Sequence, residues 1–191
     1  MDKLKSLKLK DIEPIFKMNY GDGTSYGEVN LMKEIERKFI VVNDDWFMYE
    51  FESTTQIEQV YLTSEPAVRI RINDLLKQAK MCCKTPTDDP RVRNEIEFDI
   101  DYDNARLVVD AFDGKQTILK ERYVININGK KWEIDRFAYR NCGLVVAEIE
   151  MESVDEDITI PDWCGLEVTD DPRFLNVNLA HTPFDPSWLK D

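Results

Sequence analysis

Residues 34–40 of the chain read Glu-Ile-Glu-Arg-Lys-Phe-Ile. Charged and apolar side chains alternate along this stretch, with Glu34, Glu36 and Lys38 on one face and Ile35 and Phe39 on the other. Alternation with a period of two predicts a β-strand, because successive side chains of a strand point to opposite faces of the sheet. The strand therefore has one charged face and one face that packs into a core.

The same alternation returns in later segments, and in each of them the paired charges have one sign. Ordinary solvated faces mix signs, because like charges side by side repel. Pairs of one sign on each strand predict a shared cavity with a cationic wall and a carboxylate wall, which closure of the sheet into a barrel would create. We expect these residues and Lys38 to line the lumen: Glu34, Glu36, Arg69, Arg71, Glu95, Glu97, Lys120, Arg122, Glu148 and Glu150.

Three further segments have recognisable local patterns. Apolar residues spaced i, i+3, i+4, i+7 over residues 105–112 predict a helix that ends at Gly114. A second, shorter helix is predicted over residues 173–180. Residues 126–129, Asn-Ile-Asn-Gly, predict a hairpin turn between two strands.

The predicted domain spans residues 34–180, preceded by an N-terminal arm (1–33) and followed by a C-terminal tail (181–191). Within the arm, residues 21–27 are rich in glycine. A phosphate-binding loop would need a preceding strand and a following Lys-Ser or Lys-Thr, both of which this stretch lacks. We therefore interpret it as a flexible connector, since Gly, Asp and Ser favour turns.

The net charge of the chain limits the classes of molecule that it can bind. Of 191 residues, 25 are basic and 38 are acidic, which gives a net charge of −13. Such a surface repels phosphate backbones and anionic lipids, so we expect no nucleic-acid or membrane partner. No segment approaches the ~20 apolar residues of a membrane span. We expect a cytoplasmic protein, either a monomer or a homodimer.

The histidine and cysteine content argues against several kinds of catalytic and metal-binding site. The single histidine, His181, makes a Ser-His or Cys-His hydrolase a poor candidate. The four cysteines form no C-x-x-C motif, which argues against a zinc site and a disulfide scaffold. Converging Lys and Arg side chains suit a polyphosphate, and paired carboxylates suit Mg²⁺ or Mn²⁺. The residues alone therefore predict a metal-dependent site for a polyphosphorylated small molecule.

Residues 34–39 closely resemble the E-x-E-x-K signature of the CYTH superfamily, the triphosphate tunnel metalloenzymes. The rest of the chain, over about residues 33–180, resembles the family in the same order. The matching segments are Gln59-Val60-Tyr61-Leu62, Arg69-x-Arg71, Lys84, Glu95-x-Glu97, Lys120-x-Arg122, Glu133-Ile134-Asp135, Ala147-Glu148-Ile149-Glu150 and Glu167-Val168-Thr169-Asp170 with Phe174 and Asn176. Phe174 stands where a tyrosine is common, and the arm is longer than usual.

The resemblance implies an α+β, mainly β fold: a closed eight-stranded antiparallel barrel that forms a tunnel, with flanking helices. It implies hydrolysis of inorganic triphosphate to diphosphate and phosphate, because the motifs are most similar to the compact bacterial branch. Lys38 and Tyr61 would activate water. The expected phosphate-binding residues are Arg69, Arg71, Lys84, Lys120 and Arg122, and the expected ligands of Mg²⁺ or Mn²⁺ are Glu34, Glu36, Asp135, Glu148 and Glu150.

The role of Lys38 as a base depends on its surroundings. Neighbouring cations would lower its pKa, whereas the metal-binding carboxylates would raise it. We expect a neutral amine if the cations dominate once metal neutralises the carboxylates.

Two alternatives remain open. A class IV-type adenylate cyclase, or a triphosphatase acting on thiamine or nucleoside triphosphates, needs an aromatic or apolar pocket beside the tunnel. Trp46, Phe47, Tyr49 and Phe51 are candidates for it, although packing in the core is the commoner role of such residues. The third possibility is a non-catalytic polyphosphate-binding protein.

Overall fold

Nine β-strands dominate the chain in a computed structural model that describes residues 30–112 and 114–190. The strands are β1 (Asn30–Val41), β2 (Phe51–Ser64), β3 (Ala67–Asn73), β4 (Gln78–Pro86), β5 (Val92–Ile100), β6 (Thr117–Ile127), β7 (Lys130–Phe137), β8 (Val145–Glu150) and β9 (Cys164–Glu167). Two α-helices are present in the described residues, α1 (Tyr102–Ala111) and α2 (Asn176–His181). Short 3-10 helices cover Asp45–Met48, Tyr139–Asn141, Pro172–Phe174 and Pro186–Leu189.

Eight of these strands close into an antiparallel barrel. They are hydrogen-bonded in the order β5-β4-β3-β2-β6-β7-β8-β1, and a pairing between β1 and β5 closes the ring. The short strand β9 is added to β1. The predicted fold class, a closed eight-stranded antiparallel barrel with flanking helices, is confirmed.

The apolar faces of the strands pack outside the lumen, as the alternation predicts. Ile70 and Ile72 of β3 lie in one cluster with Ala105 and Val109 of α1. A second cluster contains Ile149 of β8 with Trp132 and Ile134 of β7. The charged residues that alternate with these side chains are therefore left to face the interior of the barrel.

The two helices differ in how well the sequence predicts them. In α1 the side chain of Asp101 accepts a hydrogen bond from the Asn104 N–H, and the helix packs on β3 and β4. The predicted helix over residues 173–180 is instead divided. Pro172–Phe174 form a 3-10 turn, Leu175 is extended, and α2 begins only at Asn176. The carbonyl of the extended Leu175 accepts hydrogen bonds from the Asn178 and Leu179 N–H groups, so it caps a new helix and does not continue the 3-10 turn.

The β6–β7 hairpin turns where residues 126–129 predict it. Asn128 and Gly129 have φ values of 55° and 83°, so both central residues are left-handed. Asparagine and glycine are the residues that adopt this conformation most readily, and this explains why the turn was visible in the sequence.

The ends of the domain can be compared with the predicted boundaries. β1 begins at Asn30, ahead of the predicted domain start at residue 34, and the glycine-rich residues 21–27 lie outside the described residues. In the predicted tail, Phe184 and Trp188 pack against Phe174. Across the part of the chain that the structure describes, every helix is too short or too polar to cross a membrane.

The aromatic group near residue 46 packs together on the outside of the barrel. Trp46 is buried and contacts Phe47, Phe51 and Tyr123, with ring centroids 3.8, 5.9 and 5.0 Å apart. Trp46, Phe51 and Tyr123 belong to the outer cluster that also contains Trp132, whereas Phe47 and Tyr49 are exposed. None of the four aromatic candidates lines the lumen cavity.

Candidate active site in the barrel lumen

The lumen of the barrel contains a cavity of about 1130 Å³. Its wall carries charges from every strand of the ring apart from β2, which contributes Tyr61. Lys120 and Asp135 are the two predicted site residues that are not on this wall. The predicted residues that line it are Glu34, Glu36, Lys38, Tyr61, Arg69, Arg71, Lys84, Glu95, Glu97, Arg122, Glu148 and Glu150.

Lys38 lies among carboxylates on one side of the cavity. β1 and β8 pair so that Lys38 is opposite Glu148 and Glu36 is opposite Glu150. The Lys38 Nζ is 2.9 Å from Glu148 Oε1 and 3.8 Å from Glu36 Oε1. Burial alone would lower the pKa of Lys38, but Glu148 and Glu36 outweigh it and raise this pKa above its usual range. With no cation bound to the carboxylates, Lys38 is therefore protonated.

The opposite side of the cavity is cationic. Arg69 is buried, with its Nη2 3.6 Å from Glu95 Oε1, while its Nε has no hydrogen-bond partner. Arg71 donates a long hydrogen bond of 3.4 Å to Gln59. Burial and the nearby Arg69 and Arg122 lower the pKa of Arg71 to about 10. Two arginines thus have donors that the protein leaves poorly satisfied, and an anion in the lumen would satisfy them.

Tyr61 reaches the same cavity from β2. It is buried, and its hydroxyl accepts a 3.1 Å hydrogen bond from Gln59 Nε2. The phenol also hydrogen-bonds Arg69, which is one cause of the raised pKa of that guanidinium. Lys38 and Tyr61, the pair expected to activate water, therefore line one cavity.

Glu34 lies near two other carboxylates, those of Glu36 and Glu95. Its side chain pairs with Lys84, which also lies 3.5 Å from Glu95. Burial, together with the negative charges of Glu36 and Glu95, raises the pKa of Glu34 to about 7, even though Lys84 opposes this shift. The carboxylates here outnumber the cations that compensate them, so the site has an unmet preference for positive charge.

Lys120 and Asp135 form a buried ion pair behind the cavity wall. Both are fully buried, and Lys120 Nζ donates to Asp135 Oδ2. Arg122 donates to the same carboxylate through Nε at 2.7 Å and Nη2 at 2.6 Å, and it also reaches Glu148 Oε2 at 2.8 Å. Both oxygens of Asp135 are therefore occupied by cations of the protein. The expected lumen-lining position of Lys120 is wrong, because alternation gives the face of a residue but not its depth.

Several cavity residues were missed by the sequence reasoning. Glu133 shares the inward face of β7 with Asp135 and pairs with Arg122 and Lys131. Arg93 also lines the wall, and the i, i+2 spacing to Glu95 was the signal for it. Cys82 lies between the cations of β4, and its thiol donates to Glu95 Oε1 at 2.8 Å. Its i, i+2 spacing to Lys84 was the signal that this cysteine faces the lumen.

Comparison with known proteins gives the family. The CYTH domain family matches residues 32–177, which include every strand of the ring in whole or in part. The chain belongs to the CYTH family. An inorganic triphosphatase of Acetivibrio thermocellus is 36% identical over 153 residues, covering 80% of this chain and 96% of that protein.

A second curated relative and a solved structure are also similar to this chain. An inorganic triphosphatase of Nitrosomonas europaea is 31% identical over 153 residues, which cover 78% of this chain and 97% of the relative. A crystal structure of an inorganic triphosphatase superposes with a TM-score of 0.57 at 29% identity, covering 77% of this chain and 93% of that one.

The donor atoms of this CYTH lumen suit a hard divalent cation. Glu34, Glu36, Glu148 and Glu150 offer carboxylate oxygens to one cavity. Burial raises the pKa of the Cys82 thiol to about 12, and this thiol donates its proton to Glu95. Oxygen-only ligands favour ions such as Mg²⁺ and Mn²⁺ over Zn²⁺.

Proposed function

We propose that this CYTH protein hydrolyses inorganic triphosphate to diphosphate and phosphate inside its barrel. The observation that carries the proposal is the sorting of charge in the lumen, where arginines and lysines face carboxylates across one cavity. Relatives that are 36% and 31% identical over most of the chain are inorganic triphosphatases, which supports the same substrate here.

The cationic side binds the phosphates. Arg69 and Arg71 have donors with weak or missing partners, and Lys84 lies close to them on β4. Guanidinium groups bind phosphate oxygens through two parallel hydrogen bonds, which fixes orientation as well as affinity. Arg122 adds a cation where charge builds up on the terminal phosphate, and such preorganised charge lowers the barrier to phosphoryl transfer.

The carboxylate side holds the metal. Glu34, Glu36, Glu148 and Glu150 are the ligands that we assign to Mg²⁺ or Mn²⁺. When bound, the divalent cation supplies positive charge that neutralises these carboxylates and stabilises the charge on phosphate oxygens. Asp135, which resemblance assigns to the metal as well, is fully engaged by Lys120 and Arg122. We assign to Asp135 and Lys120 the task of fixing the Arg122 guanidinium from behind.

Lys38 and Tyr61 act on the attacking water. A water molecule attacks the terminal phosphorus. The bond between this phosphorus and the bridging oxygen breaks, and diphosphate leaves. Once its carboxylate partners are neutralised, Lys38 accepts the proton that the water loses. Tyr61 orients the water or the amine through its hydroxyl. General-base catalysis of this kind contributes about 10²- to 10⁴-fold to the rate.

A substrate panel tests the proposal. Phosphate release is measured with inorganic triphosphate, ATP and thiamine triphosphate, each with Mg²⁺, with Mn²⁺ and with excess chelator. The proposal requires the highest kcat/KM with inorganic triphosphate and loss of activity in chelator. Full activity in chelator contradicts the metal assignment, and binding of triphosphate without any turnover supports a polyphosphate-binding protein instead.

The size of the cavity favours one second candidate, an organic triphosphatase. A volume of about 1130 Å³ exceeds what an inorganic triphosphate fills, because typical ligand pockets of about 300–1,000 Å³ hold drug-sized molecules. Met32, Pro66, Leu175 and Val177 add apolar surface to the wall. A preference for ATP or thiamine triphosphate in the panel would select this candidate.

A further inference from the structure

Along one of its edges, β1 pairs first with β5 and then with β9 and the segment after it, and Lys38 lies just past the end of the β5 pairing. On this edge β1 pairs with β5 only as far as Ile35, and the next bond joins the Glu36 N–H to the Arg91 carbonyl at 3.0 Å. The other edge pairs with β8. Because Lys38 lies beyond the end of β5, its N–H and carbonyl need another partner on the first edge.

The segment that follows β9 supplies this partner. The Lys38 N–H donates a 3.0 Å hydrogen bond to Thr169 Oγ1, and the Lys38 carbonyl accepts a 2.8 Å hydrogen bond from the Val168 N–H. One of these bonds depends on the backbone alone, whereas the other depends on a side-chain hydroxyl. The identity of residue 169 therefore matters to the backbone of Lys38.

The hydroxyl of Thr169 is itself oriented. It donates its single proton to Glu167 Oε1 at 2.8 Å, which leaves a lone pair for the Lys38 N–H. Glu167 is held by Arg37, whose Nε lies 2.8 Å from the same oxygen. Thr169 is buried, with 9% of its surface exposed, so water replaces the hydroxyl poorly. Hydrogen bonds therefore link the Arg37 side chain through Glu167 and Thr169 to the backbone N–H of Lys38.

We propose that Thr169 is a positioning residue for Lys38: its hydroxyl fixes the backbone from which the Lys38 amine extends into the lumen. The inference rests on the proposed function, in which Lys38 takes the proton of the attacking water. The same backbone position places Lys38 Nζ 2.9 Å from Glu148 on the lumen side. Catalytic rates are sensitive to small displacements of reacting groups, so losing this bond should lower turnover rather than substrate binding.

Thr169→Val and Thr169→Ser are the variants that test this inference. Valine keeps the shape of threonine but removes the hydroxyl, and serine restores the hydroxyl. Thr117→Val is the matched control, since Thr117 is also buried and donates its hydroxyl proton to the backbone carbonyl of Lys115. The measurements are kcat and KM for inorganic triphosphate, a thermal melt, and hydrogen exchange of the Lys38 amide.

Thr169→Val should lower kcat roughly ten- to a hundredfold with KM changed less than about twofold. Thr169→Ser and Thr117→Val should keep kcat close to the unmodified chain, and the Lys38 amide should exchange faster in Thr169→Val alone. If Thr169→Val does not melt cooperatively, Thr169→Ala replaces it under the same criteria. Unchanged kcat in the hydroxyl-free variant, or an equal loss in Thr169→Ser, overturns the inference.

The failure of the proposed function would look different. In that case the unmodified chain itself releases no phosphate from triphosphate, whatever residue stands at position 169. Exchange at the Lys38 amide does not depend on activity. It still decides whether Thr169 holds the backbone of Lys38: unchanged protection in Thr169→Val overturns the inference, and faster exchange supports it.

Discussion

Replacing Asp135 by asparagine separates a structural carboxylate from a metal ligand. Asp135 is fully buried, and both of its oxygens accept hydrogen bonds from Lys120 or Arg122. The substitution keeps the size of the side chain but removes its negative charge. Arg122 would keep Glu148 and Glu133 as partners, whereas Lys120 would lose the carboxylate to which its amine donates.

The size of the effect follows from the burial of this network. Removing one partner of a buried ion pair destabilises a protein by about 3–5 kcal/mol, because the other charge is left without compensation. In a domain of this size each kcal/mol lowers Tm by about 2–4 °C. Asp135→Asn should therefore lower Tm by about 6–20 °C at neutral pH.

The loss of stability should also depend on pH. Burial and the charge of Arg122 lower the pKa of Lys120 to about 8, and Asp135 is one of the groups that opposes this shift. Without Asp135 the pKa of Lys120 falls further below its unfolded value. The extra cost is present below this folded-state pKa and disappears as the pH rises through it, since a neutral amine needs no counter-charge. The difference in unfolding free energy should be larger at pH 6 than at pH 9.

Urea unfolding at pH 6 and pH 9 measures both effects. Glu150→Gln is the matched control, because Glu150 is exposed on the cavity wall and its loss should change stability little. The reasoning fails if Asp135→Asn unfolds like the unmodified chain while its activity collapses. That result would make Asp135 a metal ligand, as the family resemblance implies.

The remaining predictions concern activity. Glu148→Gln and Glu150→Gln should each lower kcat steeply, and a variant that keeps full activity removes that residue from the metal site. Lys38→Ala should lower kcat by about 10²- to 10⁴-fold with a smaller change in substrate affinity; a rise in KM alone would make Lys38 another phosphate ligand. Tyr61→Phe should have a weaker effect of the same kind, visible in single-turnover rates. Arg69→Ala should mainly raise KM for triphosphate, by about tenfold or more, as expected for a lost charged hydrogen bond; a loss confined to kcat argues against a binding role.

The sequence predicts the barrel well because its signal is local. Each strand shows its own alternation, and the paired charges of one sign indicate that these faces meet in one lumen. The hairpin turn was also visible, since Asn128 and Gly129 provide left-handed backbone at adjacent positions.

The alternation in the sequence does not predict how deeply a side chain is buried or which distant residues it contacts. A period of two places Lys120 and Asp135 on the inward face, but the packing of neighbouring side chains decides that they lie behind the wall. The bond between Lys38 and Thr169 joins residues 131 positions apart, and no local pattern reports such a contact. The protonation of Lys38 likewise depends on distances to Glu148 and Glu36 that only the folded barrel fixes.

Phosphorus NMR of inorganic triphosphate incubated with the protein and Mg²⁺ is the decisive test of hydrolysis in the lumen. The double variant Glu148→Gln/Glu150→Gln serves as the control, because it keeps the cationic wall and removes two proposed metal ligands. Triphosphate should be converted to diphosphate and phosphate in equal amounts, and the double variant should be far slower. Triphosphate that remains intact, or that disappears equally fast with the control, would contradict the assignment of hydrolysis to this lumen.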